Sequence, residues 1–351
     1  MTRRRLPILL LILALLLSGC GGGRPDAPTI TVYSPNGLGA WYATQFARFT
    51  ADTGIKVTLF EAGSGEVVSR VNSRAVWEGL DPQNSVPPAD LLVTLPPFIQ
   101  KAAKAGLLQP SGVDTAGITS PVKDAGGLYV PIVGNALCFI ANPAASPPPA
   151  TWDDLLRPDL QGRLQYSTPG DAGDGTAMLL LLQHLMGPRG ALDYLARLQT
   201  NNVGPSASTS VLQPKVSSGE LWVANGDVQM NLASIRAGDA NFNIFFPAMP
   251  DGVRTTVAVP YVAGVTASSK YPEQAARLLA FLLSEQVQRT VLPDASGLPV
   301  LNSVARQAPA AAPAERTPSS LLEGVQVWTP DWEAVLAGFD ADLAAYRDAV
   351  R

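Results

Sequence analysis

The chain has 351 residues, of which 46% are hydrophobic and 15% charged. That balance supports about two packed domains and excludes a disordered polymer. The formal net charge of -4 leaves no broad basic surface, which argues against nucleic acid as a partner, so any anion site must work through local hydrogen-bond donors.

Met1-Thr-Arg-Arg-Arg5 precedes an almost wholly apolar run over residues 6–17 and then Leu17-Ser-Gly-Cys20 with three glycines. A basic start and a short apolar run read as an export signal over residues 1–19. The run falls short of the roughly twenty residues that span a bilayer. Leu17-Ser-Gly-Cys20 resembles the lipobox of bacterial lipoproteins, which implies cleavage before Cys20 and a lipid on its sulfur. Residues 20–28 are then a lipidated cysteine and a flexible tether. Cys138 is the only other cysteine, so the fold cannot rely on an internal disulfide, and its apolar neighbours make it a buried small side chain.

Residues 29–33 read as a strand, followed by Ser34-Pro-Asn-Gly37 and a helix whose face carries Leu38, Tyr42, Phe46 and Phe49 up to Gly54. A second strand over 56–60 enters Glu61-Ala-Gly-Ser-Gly-Glu66, where a helix carrying Val67, Val68 and Val71 begins. Residues 90–94 form a third strand and Pro96-Pro97 opens another helix. Alternating strands and helices predict a parallel sheet, with ligands collecting at the carboxyl ends of its strands. Those ends are Ser34 to Gly37, Gly63 to Glu66, and Thr94-Leu95. Residues 72–88, around Trp77, break the pattern and read as an inserted loop.

A long extended segment over 126–140, interrupted by Gly134, could leave the first domain as a hinge strand. A second alternating region starts at residues 164–167, passes Thr168-Pro-Gly-Asp-Ala-Gly-Asp-Gly-Thr176 and enters a helix over 178–186, with another helix over 191–199. Ser206-Ala-Ser-Thr-Ser210 precedes a further helix. Residues 227–231 and 243–246 read as strands, 255–265 as a second crossing segment, and a last helix follows Trp332.

With an export leader, two α/β regions and two crossing segments, the chain resembles the extracellular solute-binding proteins of ABC importers. Gly127-Leu-Tyr-Val-Pro131 with Gly134, Thr151-Trp-Asp-Asp-Leu155 with Gly162, and Ser218-Gly-Glu220 before Asn225-Gly-Asp227 look like landmarks of the ferric and polyamine branches. Glu61-Ala-Gly-Ser-Gly-Glu-Val-Val68 with Leu92-Val-Thr-Leu-Pro-Pro-Phe-Ile99 is similar to the members that bind 2-aminoethylphosphonate. The resemblance implies a two-lobed α/β fold of the type 2 periplasmic-binding class, each lobe a mainly parallel sheet flanked by helices, closing on a solute by hinge motion. Lobe I is expected over 29–133 plus 262–351 and lobe II over 134–261. It further implies no cofactor, no metal and no catalysis, a monomer on the extracytoplasmic face of the membrane, and a permease and ATPase as partners.

For the phosphonate, the hydroxyls and amides of Ser34, Asn36, Gly63, Ser64, Gly65, Thr94, Thr168, Thr176, Ser208, Thr209 and Ser210 are candidate donors. Helix starts at Ser64, Asp174 to Thr176 and Ser210 contribute partial positive charge. For the ammonium, the available acids are Glu66, Asp171, Asp174 and Asp227, and Tyr261 is a candidate wall of the cleft. Each has a bland reading. Glu66 precedes Arg70 by four residues, a spacing for an exposed helical ion pair. Asp171 and Asp174 suit turns or caps, Ser206 to Ser210 suits a capped loop, and Tyr261 suits a core.

A ferric-ion binder would want phenolate and carboxylate oxygens, and an adjacent tyrosine pair follows the Asn-Gly-Asp region in such proteins; here Met230-Asn-Leu-Ala233 stands there. A polyamine binder would use the same acids without the phosphonate donors. The single histidine, His184, lies in an apolar helix, and no P-loop or nucleophile elbow is present.

Overall fold

A computed structural model describes residues 28–73, 87–307 and 316–351. The leader, Cys20 and nearly all of the tether and of the insertion around Trp77 lie outside the described residues.

The first sheet contains β1 (Thr29–Pro35), β2 (Lys56–Ala62), β3 (Leu91–Thr94), β4 (Leu108–Gln109) and β5 (Val130–Val133). It is completed by a strand from much later in the chain, β11. The second sheet contains β6 (Leu137–Ala141), β7 (Leu164–Gln165), β8 (Val223–Asp227) and β9 (Asn243–Phe245). A two-stranded piece joins β10 (Thr255–Val257) to β12 (Gln326–Trp328), and β11 spans Tyr261–Thr266. The helices that matter for the site are α1 (Gly39–Thr53), α2 (Ser64–Asn72), α3 (Phe98–Lys104), α4 (Gly173–Leu198), α5 (Leu212–Ser218), α6 (Val228–Ala237), α7 (Pro272–Leu282), α8 (Glu285–Ala295) and α9 (Trp332–Ala349).

The first sheet runs β2-β1-β3-β11-β4, with β5 also on β11. β1 pairs in parallel with β2 and β3, as helix crossovers require. β11 is antiparallel to β3, β4 and β5, because it returns from the second sheet rather than through a crossover helix. The second sheet runs β7-β8-β6-β9, with β7-β8 parallel and β6 antiparallel to both neighbours. Both sheets are therefore mixed.

Local chemistry accounts for the element ends. α1 buries Trp41, Tyr42, Phe46 and Phe49 and stops at Gly54, which takes φ 76 and donates to the Thr50 carbonyl at 2.8 Å. α4 breaks at Gly187, φ 73 and ψ 163, ahead of Pro188, which divides it near the two helical stretches read from the sequence. Residues 227–231 correct the reading: the strand ends at Asp227, whose carboxylate caps α6 by accepting from the Met230 amide at 2.7 Å. His184 is exposed on α4 and stacks on Trp328 at 4.1 Å.

The chain crosses between the sheets beside Gly134 and Val259. Gly134 and Leu298 exchange backbone bonds of 2.7 and 2.9 Å, and the Val259 amide donates to the Asn135 carbonyl at 2.9 Å. The crossings are thus paired to each other and to a third segment. The C-terminal arm completes the separate two-stranded piece, where β12 pairs with β10, while α9 packs on α3 and on α4. Phe339 meets Phe98 edge-on and Tyr346 lies 3.2 Å from the Tyr166 hydroxyl.

The start of α4 lies against the end of β7. A Cβ on Gly175 would stand 2.0 Å from the Ser167 carbonyl oxygen, so the helix reaches this position only with glycine. Replacing Gly175 with alanine should therefore lower the unfolding free energy by about 3 kcal/mol, through overpacking against backbone that cannot yield. Urea denaturation checks this, and a loss below about 0.5 kcal/mol would contradict the tight contact.

Candidate functional site

Loops at the carboxyl ends of strands from both sheets meet around one small cavity. From the first sheet come Pro35 and Asn36 after β1, Ala62-Gly63-Ser64 between β2 and α2, Leu95 after β3, and Tyr261 at the start of β11. From the second come Ala172-Gly173-Asp174 at the start of α4, Ser208-Thr209-Ser210, Asp227 at the end of β8, and Met230. The space between them is about 320 Å³ including its open mouth.

The two walls touch backbone to backbone. The Gly65 amide donates to the Asp171 carbonyl at 3.0 Å. A Cβ on Gly63 would lie 2.6 Å from the Ala207 carbonyl oxygen, one on Gly65 2.9 Å from those of Asp171 and Gly170, and one on Gly173 2.7 Å from the Ser64 hydroxyl. These positions are glycine because a side chain on any of them would hold the walls apart.

α2 starts at Gly63 with no side-chain cap, so the helix start presents its own amides. The Ser208 and Ser210 hydroxyls lie 2.9 Å apart. Thr209 donates to the Ser167 hydroxyl at 3.1 Å, which also receives the Asn225 amide at 3.1 Å. This hydroxyl run is braced from behind by Asn225, a residue absent from the sequence reading of the site.

Asp174 and Asp227 are both buried, 4% and 3% exposed. Burial raises the Asp174 pKa well above the carboxylate range, the Asp227 charge adds to the rise, and a bond from Thr209 opposes it. Burial likewise raises Asp227, against bonds from the Met230 amide, the Asn135 side chain and the Gln229 amide. Oδ1 of Asp174 has no hydrogen-bond partner within the protein. Two buried acids whose charges act on each other favour protonation of one of them or a bound cation.

Of the sequence candidates, Asn36, Gly63, Ser64, Asp174, Ser208, Thr209, Ser210, Asp227 and Tyr261 come together on the cavity. The others stand elsewhere. Ser34 is buried and donates to the Pro35 carbonyl at 3.0 Å. Thr94 donates to the Ser64 carbonyl at 3.0 Å, beneath the helix start. Thr168 accepts from the Ser206 amide at 2.9 Å, and Thr176 donates to the Ala172 carbonyl at 2.9 Å, so both brace loops. Gly65, Glu66 and Asp171 face a neighbouring groove on the far side of the seam. Glu66 there pairs with Arg70 at 3.1 Å, half exposed, as the four-residue spacing allows.

The cavity also contains residues that sequence reasoning missed. Met230 forms apolar wall beside Leu95, which the sequence places at a strand end, and behind them the Gln229 side chain accepts from the Tyr261 hydroxyl while Asn135 accepts from the Gln229 backbone amide. A capping signal, an acid just before an apolar helix, marks Asp227 as a helix start rather than a strand start. Nothing local marks Gln229, whose side-chain partners lie 66 and 192 residues away.

The family model of the bacterial extracellular solute-binding proteins matches residues 30–292. A Salmonella typhimurium protein named "Putative 2-aminoethylphosphonate-binding periplasmic protein" is 42% identical over 327 residues, 91% of each chain. An Fe(3+)-binding periplasmic protein of Serratia marcescens is 28% identical over 68% of this chain and 69% of its own. Among solved structures, the periplasmic binding protein P5PA superposes with a TM-score of 0.75 at 19% identity, covering 92% of this chain and 100% of that one, a likeness of fold. No helix among the described residues is long and apolar enough to cross a membrane. The chain belongs to the bacterial extracellular solute-binding proteins, which bind their solutes rather than transform them.

Proposed function

We propose that this chain is the lipid-anchored receptor of an ABC importer and captures 2-aminoethylphosphonate or a close aminophosphonate between its lobes. One observation carries the reading: two buried carboxylates and an uncapped helix start line the same small cavity. Such a site fits a solute with a cation at one end and an oxyanion at the other. Asp174 and Asp227 take the ammonium. The α2 start at Gly63 and Ser64, the hydroxyls of Ser208 and Ser210 and the Asn36 amide take the phosphonate by neutral donors and helix dipole. The identity to the Salmonella protein, by its printed name, supports the same solute. Closure brings Gly65 onto Asp171, and the loaded form is delivered to a permease and ATPase. The Leu17-Ser-Gly-Cys20 string supports an anchor through lipid on Cys20.

Calorimetry on the purified protein tests the solute directly. We expect heat with 2-aminoethylphosphonate, and heat only with ferric ion or only with putrescine would replace this reading by the corresponding one. Asp174→Asn and Asp227→Asn should each weaken 2-aminoethylphosphonate by about tenfold or more while changing ethylphosphonate little, since each loses a charge-assisted bond worth about 1.5–3 kcal/mol. Glu66→Gln should leave both affinities within about twofold, the value of an exposed helical pair.

The raised acids predict a proton signature. An ammonium favours the ionised carboxylates, so binding should release protons, and affinity should climb as pH rises from about 4 through the raised range and then level off. The sign for stability is opposite in the free protein. Its buried acids favour folding while protonated, so unliganded stability should fall across the same range and solute should restore it. Titrations in buffers of differing ionisation enthalpy check this, and binding without proton exchange would remove the acid pair from the ammonium site.

Replacing Cys20 with serine should move the protein from the membrane to the soluble extracytoplasmic fraction. Continued membrane retention would argue for another anchor.

A further inference from the structure

Gln229 sits in the first turn of α6 and is 1% exposed. Its side-chain nitrogen donates to two carbonyls, Gly37 at 3.1 Å in the turn after β1 and Ala295 at 2.7 Å at the end of α8. An amide nitrogen carries two hydrogens, so both are committed. The amide oxygen is therefore fixed on the opposite side, 3.1 Å from the Tyr261 hydroxyl. That hydroxyl also stands 3.1 Å from the Asn36 carbonyl oxygen. Approach this close needs Gly37, since a Cβ there would meet the phenol oxygen at 2.4 Å.

Both protein neighbours of the hydroxyl are acceptors without a hydrogen of their own, and a phenol has one hydrogen to give. Whichever acceptor takes it, the hydrogen stays within the wall. What remains for the cavity is the lone-pair capacity of the oxygen. Tyr261 is a cavity residue, and the charges of Asp227 and Asp174 both act on it, which places the three groups around one space.

Resting on the reading of the solute above, we infer that Gln229 is a positioning residue that presents Tyr261 as a hydrogen-bond acceptor, so that Tyr261, Asp174 and Asp227 form a three-acceptor seat for a primary ammonium. A primary ammonium has three N–H donors, one for each acceptor. Each N-methyl group removes a donor and adds bulk beside buried oxygens. The seat thus separates primary aminophosphonates from N-methylated ones, which carry the same charge, and it excludes Tyr261 from holding the phosphonate. The phosphonate end keeps its own donors, the hydroxyls of Ser64, Ser208 and Ser210 and the first α2 amide, that of Ser64.

The test compares solutes on unaltered protein and then on two variants. With the purified protein, calorimetry should give affinity falling from 2-aminoethylphosphonate to its N-methyl and N,N,N-trimethyl derivatives, about a hundredfold or more at the last. Tyr261→Phe should weaken 2-aminoethylphosphonate about tenfold and leave ethylphosphonate within about twofold, the loss of one bond to a charged group. Gln229→Met should reduce the same preference for the primary amine, because the Asn36-Gly37 turn loses its anchor and Tyr261 can turn its hydrogen toward the solute. A merely structural role would lower both affinities together, and that outcome overturns the inference. So does trimethylated solute binding as tightly as the primary amine. If 2-aminoethylphosphonate gives no heat while putrescine binds with the same dependence on Tyr261, the assigned solute falls and the seat stands; if no primary ammonium binds, both fall.

Discussion

The structure depends on a steric constraint at the seam, where backbone meets backbone and leaves no room for a Cβ. Gly63 faces the Ala207 carbonyl, Gly65 the Asp171 carbonyl, and Gly173 the Ser64 hydroxyl. Because these residues have no side chain, walls from two sheets come within hydrogen-bond distance, and the Gly65 amide closes on Asp171. The Asp174 and Asp227 carboxyls are buried beside this seam, which raises them, and Oδ1 of Asp174 has no protein partner there.

The electrostatics then divide the cavity by role. Acceptors without donors gather near Asp174, Asp227 and Tyr261, and donors without formal charge gather at the α2 start and the Ser208 to Ser210 run. A protein with net charge -4 gains little from long-range attraction of an anion. In the proposed reading, local donors and a partial helix charge supply binding in its place, and the acids supply discrimination. The polar groups behind the wall, Asn225, Asn135 and Gln229, fix which atoms donate and which accept. Their contribution is orientation, the property a rigid recognition site needs most.

The crossing segments tie this site to motion between lobes. Asn135 lies in the first crossing and accepts from the Gln229 backbone amide, while Tyr261 opens the strand after the second. The groups that contact the proposed ammonium are therefore bonded to the segments about which the lobes would turn. The C-terminal arm adds a further link, with β12 on β10 and α9 against α3 and α4. In the proposed reading, solute capture and lobe position would share one network of bonds.

By itself, the sequence determined the alternation of strands and helices and the helix start at Ser64. These are local properties of spacing, glycine and hydrophobic period, which act within a few residues. It also brought Asp174, Asp227 and the Ser208 to Ser210 run into view as polar residues at element ends. Only the tertiary structure decided which acids matter. Glu66, prominent in its glycine-rich turn, is drawn outward to Arg70, whereas Asp227, read as the start of a strand, ends one and caps a helix inside the cavity. The side chains of Ser34, Thr94, Thr168 and Thr176 satisfy nearby carbonyls and amides instead of a solute, a choice made by packing that composition does not record. The direction of a single hydrogen on Tyr261 is set by Gln229 and by carbonyls far away in the chain. Long-range contacts carry no local periodicity, so that part of the site could be read only once the chain had folded.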